Sequence, residues 1–257
     1  MATLAEVADY LDTTLNVAAI PDYPGAMNGV QLGTTRGITQ VATAVDFASY
    51  TAHRAIEAGA QLLIVHHGMF WGGAQPIVGR AYERLKALLA AGVGVYASHL
   101  PLDVHPELGN NALLARELGL SPSGGFARFQ TIDVGVSGEC ELATHTLVER
   151  ATAFAAQHGG QTRTTPFDAG RVTRRWGICT GAGASSETLR EAESRGIDTV
   201  IVGEGPHHTA VAARDVGLTV VYAGHYATET LGVRALGDAL TRRFGVPSTF
   251  IDAPTGL

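Results

Sequence analysis

Cysteine is scarce. Only Cys140 and Cys179 occur in 257 residues, and neither belongs to a CxxC pair, which excludes a disulfide-stapled scaffold, a zinc knuckle and a CxxC redox centre. Both thiols are expected to be reduced and buried. Basic charge is also in deficit: 18 Lys and Arg face 24 Asp and Glu, for a formal net charge of -6. A chain with that balance and no long basic stripe is a poor match for a nucleic-acid backbone. Its densest basic stretch, RVTRR at residues 171–175, reads as a solvated strand edge. No apolar run reaches membrane-spanning length. The opening MATLAEVADYLDTTLN carries acids where a secretory signal needs an apolar core, so a cytoplasmic location is expected. The patterns GxxxxGK[ST], GxSxG and HExxH are missing, which removes P-loop, serine-hydrolase and zincin chemistry. GAGASS at residues 181–186 has the strand-to-helix context of a dinucleotide-binding turn, but Ser186 stands where a third glycine is needed and reads instead as a helix cap.

What is present is a hydrophobic fraction of 46%, enough for a substantial core, distributed as strands alternating with helices. Amphipathic ATLAEVADYLDTTLN reads as a helix with Thr3 placed as a cap. NGVQLG reads as a turn and a short strand, with Asn28 taken as a turn residue. QVATAVD and QLLIVHH are strands around the helix FASYTAHRAIEAGA; a helix over Ile77 to Ala91, the strand VGVYASH and a helix over Glu107 to Leu118 follow. SPSGG, Ser121 to Gly125, sustains neither period and reads as a linker. Beyond it the alternation resumes with TIDVGVSGE, a helix over Leu142 to His158, WGICTG, a helix from Ser186, TVIVGE, a helix from His207, LTVVYAGH and a final helix. This predicts an α/β fold of two interconnected domains with mostly parallel or mixed sheets, residues 1–123 with 226–257 forming one and 124–225 the other.

An internal echo locates the candidate chemistry. AGAQLLIVHHG (58–68) resembles RGIDTVIVGEG (195–205), and VYASHLPLD (95–103) resembles VYAGHYATE (221–229). In the second pair Tyr96 matches Tyr222, His99 matches His225 and Asp103 matches Glu229, so both copies read His-x-x-x-acid just after a strand. On the first turn of a helix that spacing puts both side chains on one face. HYATE fits this; in HLPLD, Pro101 favours a turn. The adjacent His66 and His67 close a strand and are expected to point to opposite faces. Collected, His66, His67, Asp103, His225 and Glu229 lie at carboxyl ends of predicted strands, where α/β sheets place ligands. Mixed imidazole and carboxylate donors suit zinc, manganese, iron or nickel, and five of them suit two ions. His99 is a candidate hydrogen-bonding or catalytic residue and Glu204 a candidate general acid or base. His105 reads as a surface residue, His207 and His208 as the start of a helix after Pro206, and His53, His145 and His158 as solvent-facing.

LLIVHHGMFWGG, SHLPLDVHPELGNNALLARELGL and GHYATETLGVRALGDAL, with NGVQLG and STFIDAPTG, together resemble the NIF-three-like family of dinuclear metal-centre proteins, commonly labelled GTP cyclohydrolase I type 2 homologues. The resemblance spans nearly the whole chain. It implies a two-domain α/β subunit, a toroidal homohexamer and two divalent metal ions held by His66, His67, Asp103, His225 and Glu229, the five residues already selected by spacing. It also implies metal-dependent hydrolysis of a nucleotide-like or heterocyclic small molecule. Non-catalytic metal storage or delivery, or a regulatory scaffold, is the alternative. A partner other than a small molecule or a second copy of the chain is not implied.

Overall fold

The computed structural model describes residues 1–257 and divides into two compact units, Met1–Leu102 with Gly232–Ala253 and Asp103–Leu231 with Pro254–Leu257. The first contains α1 (Leu4–Thr14), β1 (Gly29–Leu32), β2 (Val41–Asp46), α2 (Ser49–Glu57), β3 (Leu62–His67), α3 (Gly79–Ala91), β4 (Gly94–Ala97) and β11 (Ser248–Phe250). Thr3 caps α1 as expected: its hydroxyl accepts the Glu6 amide while the Glu6 carboxylate accepts the Thr3 amide, which satisfies two otherwise orphaned donors. The sheet order is β1-β4-β3-β2-β11, with β1 alone antiparallel. Because helices cover both faces, the central strands are apolar along their length rather than alternating; Leu62, Leu63, Ile64 and Val65 are all fully buried.

The short α4 (Leu100–Asp103) follows β4. The second unit then contains α5 (Asn110–Glu117), β5 (Gly124–Phe129), β6 (Ile132–Ala143), α6 (Thr144–Gln157), β7 (Arg163–Thr164), β8 (Val172–Cys179), α7 (Ser186–Ser194), β9 (Thr199–Val202), α8 (His207–Asp215) and β10 (Thr219–Tyr222). Its sheet runs β5-β6-β8-β9-β10-β7. Trp176, Ile178 and Ile201 pack on one face with Leu147 and Phe154, while Phe126, Val200 and Val220 pack on the other with Leu189. The last helix, α9 (His225–Phe244), is the longest at 20 residues, and no helix is long and apolar enough to cross a membrane.

The echo in sequence corresponds to a repeated topology. In the first unit β2, β3 and β4 are parallel neighbours, with α2 and α3 as their connections and β1 antiparallel on β4. In the second, β8, β9 and β10 are parallel neighbours, with α7 and α8 between them and β7 antiparallel on β10. The predicted α/β class with mixed sheets and repeated halves is therefore present.

Several local expectations are corrected. HLPLD is a helical turn, because proline is tolerated in a first turn whose amides have no intrahelical partner. SPSGG is not all linker: β5 begins at Gly124, and a Cβ on Gly125 would overlap Asp133 of the paired strand, so these glycines permit the pairing that their composition argued against. RVTRR opens β8, an interior strand; Arg174 and Arg175 are exposed, and their amides donate to Asp198. His158 is half-buried against Phe154, 4.7 Å between ring centroids, rather than solvent-facing.

Candidate metal centre

In the first unit β3 ends on His66 and His67, and His99 follows β4, its parallel neighbour. Each imidazole has its Nδ1 engaged by an oxygen acceptor. His66 donates to the Ser98 carbonyl at 2.9 Å, His67 to Asp46 Oδ1 at 2.8 Å and His99 to Asp22 Oδ1 at 2.8 Å. An acceptor without a proton of its own fixes the Nδ1–H tautomer and leaves Nε2 as the lone-pair nitrogen, the arrangement that orients a metal-ligating histidine. One ligating nitrogen from each of the three lies within 4.8 Å of the others. The rings of His66 and His67 are 4.7 Å apart between centroids and tilted by 52°. Adjacent residues thus converge where strand alternation predicts divergence; His67 is the last residue of β3, and beyond it the pleat no longer dictates direction.

The segments that deliver these rings are tied from below. Asp22 accepts four bonds, from His99 Nδ1 and the Tyr23 amide on one oxygen and from Asn28 Nδ2 and the Leu100 amide on the other. Burial opposes ionisation of Asp22, but His99 and the other donors outweigh it and hold the carboxyl below its ordinary value. Asn28 is more than a turn residue, since its Oδ1 also accepts the His99 amide at 2.7 Å. Gln31, on β1, accepts the Met69 amide at 2.6 Å and donates to the carbonyls of Ala26 and Met27. A Cβ on Gly68 would overlap the Gln31 amide, so glycine there lets that amide keep its bonds to Met69, Ala26 and Met27. NGVQLG is therefore the support of the histidine loop.

In the second unit His225 and Glu229 stand on the first turn of α9, as the spacing predicts. His225 Nε2 and Glu229 Oε2 are 3.1 Å apart, close to the ~3.3 Å that separates two ligands of a tetrahedral ion with bonds of 2.0–2.1 Å. The other ring nitrogen, Nδ1, donates to Glu204 Oε1 at 2.8 Å. Burial disfavours the imidazolium, yet Glu229 and Glu204 outweigh it and push His225 up to about 9. Glycines fit this carboxylate into place. A Cβ on Gly181 would overlap Glu229 Oε1, and one on Gly203 would crowd the His225 backbone and the Thr228 hydroxyl. Gly181 also takes φ +61°, which a side chain would resist. Asp103 is buried, and its Oδ1 accepts Asn110 Nδ2 at 2.8 Å; Asn111 ties the Asp103 carbonyl to the β6 strand and to the Thr180 amide.

The remaining candidates lie elsewhere. His207 and His208 are exposed at the start of α8. His105 accepts the amides of Glu107 and Leu108 with Nδ1 and so caps the turn before α5 instead of standing free on the surface. Cys179 is buried, and burial, then the carboxylates of Asp103 and Glu229, push its thiol up to about 12; Cys140 is likewise raised, first by burial. Neither supplies a thiolate.

Sequence reasoning did not single out Asp22, Asp46, Asn110 or Gly181. A signal existed for Asp46: it closes β2 in register with His67 on parallel β3, so both must leave the sheet at one edge. For Gly181 the dinucleotide-like GAGASS was the signal, misdirected, because close backbone approach serves Glu229 rather than a phosphate. Asp22 is far from His99 in sequence and sits in a loop without pattern.

The donor set fits divalent transition metals, since imidazoles anchored through Nδ1 and buried carboxylates are what such ions take, the ion displacing the proton that His225 otherwise holds. Comparison with known proteins agrees in extent. A family model described as Duf34/NIF3 (NGG1p interacting factor 3) matches residues 2–255. A protein of Deinococcus radiodurans called GTP cyclohydrolase 1 type 2 homolog is 37% identical, covering 98% of this chain and 94% of its own. One of the same name from Halobacterium salinarum is 40% identical, covering 98% and 100%. The solved structure of protein ybgI, whose function is given as unknown, superposes with a TM-score of 0.87 at 35% identity over 99% of this chain and all of that one. Histidines closing one parallel strand, a His-x-x-x-Glu turn opening the last helix and end-to-end similarity thus converge: the chain belongs to the Duf34/NIF3 family.

Proposed function

We propose that His66, His67, Asp103, His225 and Glu229 hold two divalent transition-metal ions, zinc, manganese, iron or nickel, and that the protein is a metal-dependent hydrolase of a nucleotide-like or heterocyclic small molecule. The observation that carries this reading is the common orientation of the histidines, each with Nδ1 bonded to a carbonyl or carboxylate oxygen. A ligand needs such an arrangement; exposed His53 also bonds a carbonyl through Nδ1, and what sets His66 and His67 apart is that their ligating nitrogens also converge within 4.8 Å. The name shared by the relatives, GTP cyclohydrolase 1 type 2 homolog, supports the direction of the chemistry.

Bound divalent ions supply Lewis acidity, polarising the electrophile and acidifying water near neutral pH. The chain's own residues do the rest. Asp46 and Ser98 set the tautomers of His67 and His66, and Asn110 restricts the rotation of Asp103. His99, adjoining His66 and His67, is placed to hold or deliver a proton at Nε2 while Asp22 fixes its ring through Nδ1. Glu204, whose side chain is 46% exposed, is the second proton carrier, able to receive the proton of attacking water at its carboxylate and return it to the leaving group. The raised thiol pKa of Cys179 and Cys140 argues against a cysteine nucleophile. The proposal includes a homohexamer, as the family resemblance implies, acting in the cytoplasm, as the composition of the amino terminus suggests.

Elemental analysis of His67→Ala and Glu229→Ala proteins tests the ligand set; large metal loss with unchanged circular dichroism is expected, and full occupancy in both refutes it. A screen over nucleotides, cyclic amides and phosphoesters tests the chemistry. Chelation is expected to abolish turnover and metal return to restore it. Turnover that survives verified metal removal refutes the mechanism.

A further inference from the structure

Two large aromatic side chains adjoin the histidine cluster with much of their surface in solvent: Tyr23 is 51% and Trp71 45% exposed. Isolated exposed apolar residues need no explanation, but a contiguous pair beside functional groups does. Trp71 meets His99 edge-on, with centroids 4.5 Å apart and planes at 64°, and lies 5.6 Å from His67. Tyr23 stands 6.1 Å from Trp71 and 6.1 Å from His99. The two outer rings therefore extend the cluster of tilted imidazoles toward solvent.

Their positions are built in. The Tyr23 amide and His99 Nδ1 share Asp22 Oδ1, so one carboxylate aligns the tyrosine turn with the histidine. The turn carrying Trp71 is closed by a bond from the Gly73 amide to the Phe70 carbonyl at 2.8 Å, and Gln31 holds its start at Met69. The turns also touch: a Cβ on Gly25 would lie 2.8 Å from the Trp71 carbonyl oxygen, so glycine lets the tyrosine segment lie against the tryptophan segment. Core packing explains none of this, because Trp71 and the residues that follow it to Arg80 are exposed.

We propose that Tyr23 and Trp71 form an aromatic platform on which a planar nitrogen heterocycle, such as a nucleobase, stacks with its ring edge toward His67 and His99. Electron-poor heteroaromatic rings stack on the π-faces of Trp and Tyr, and their ring nitrogens and carbonyls are hydrogen-bond partners for imidazole. The T-shaped pair presents a face and an edge, not the closed aromatic cage that selects a quaternary ammonium. This inference rests on the proposed function for the direction of the reacting edge; stacking itself requires no metal.

The test is titration of the full-length protein with adenosine, uridine, dihydrouridine and ribose, by tryptophan fluorescence and by calorimetry, with and without chelator. Trp176 is fully buried, so ligand-dependent quenching reports Trp71. Saturable quenching by adenosine and uridine, absent with dihydrouridine and ribose, is expected, because dihydrouridine keeps the sugar and loses the planar ring. Trp71→Ala is expected to weaken binding by about 5- to 150-fold, the loss associated with one stacking ring, and Trp71→Phe to restore most of it in calorimetry. Equal binding of uridine and dihydrouridine, wild-type affinity in Trp71→Ala, or no saturable binding of either planar nucleoside overturns the proposal. The metal reading stands apart: a protein that binds uridine with no metal content retains the platform and loses the metal centre, and one that holds metal yet binds no base does the reverse.

Discussion

Replacing Asp46 separates a metal-orienting role from a structural one. Its Oδ1 lies 2.8 Å from His67 Nδ1, at the carboxyl edge where β2 and β3 end in register. Asp46→Asn keeps an acceptor at the same place, so the Nδ1–H tautomer survives while the negative charge is lost. Asp46→Ala removes both, leaving the ring free to rotate and to exchange tautomers. Losing such a partner weakens metal binding by about 10- to 100-fold. Because the Asp46 side chain is 39% exposed, solvent screens part of its charge, which puts asparagine near the lower figure and alanine near the upper. Asp22 is a poorer choice: at 7% side-chain exposure it accepts four bonds, so its loss also releases the turn that carries Tyr23. Metal affinity is read by competition with a chromophoric chelator, and thermal melting of the metal-free variants shows whether the fold is intact. Wild-type affinity in Asp46→Ala refutes the orienting role. Equal losses in the two variants leave charge, not ring orientation, as the operative contribution.

Gly181→Ala forces a Cβ onto Glu229 Oε1 at a left-handed φ; the backbone cost of about 1–2 kcal/mol lowers Tm by only a few degrees, while metal content is expected to fall sharply, and unchanged content counts against Glu229 as a ligand. His99→Gln is expected to keep its metal and lose turnover by about 10²–10⁴-fold, the range for a general acid or base; loss of metal instead makes His99 a ligand. The Cys140→Ser, Cys179→Ser double variant is expected to stay active, and native Cys179, buried with its thiol pushed up to about 12, to resist iodoacetamide until the protein is denatured. Rapid native alkylation contradicts that.

The parts of the fold legible in sequence are those that local physics decides. Apolar runs in β2, β3, β4, β9 and β10 are buried on both faces and bounded by helices, so period and length located them. The capping box at Thr3 was readable for the same reason. Strands of two and three residues were not: β7 and β11 exist only because β10 and β2 offer them an edge to pair with. Nor was the Pro101 turn, which depends on amides satisfied from outside, as Leu100 is by Asp22. The candidate site divides likewise. His66, His67, His225 and Glu229 advertise themselves by adjacency or helical spacing, whereas Asp22 and Asn28 act on His99 across more than 70 residues.

The repeated topology answers why two histidines stand side by side in one copy only. In the second unit the histidine after the third parallel strand, His225, has its Nδ1 held by Glu204, which follows the second. The echo aligns Glu204 with His67 and His225 with His99. In the first unit the same service, fixing Nδ1 of the third-strand histidine, comes from Asp22 in the loop after α1. With that duty taken over, position 67 no longer needs a carboxylate and can present an imidazole of its own, for which Asp46 supplies the Nδ1 acceptor. The two copies thus keep one geometric requirement, an anionic partner for the histidine, and meet it from different parts of the chain. The first consequently displays three imidazoles where the second displays one imidazole between two carboxylates. Of the proposed ligands the first unit supplies only the neutral His66 and His67, whereas the second supplies His225 with the carboxylates of Asp103 and Glu229, so the two proposed ions are expected to sit in environments of unequal charge and stepwise chelation to remove them in two phases, followed by elemental analysis of the intermediate. Loss of both ions in a single phase refutes the inequality.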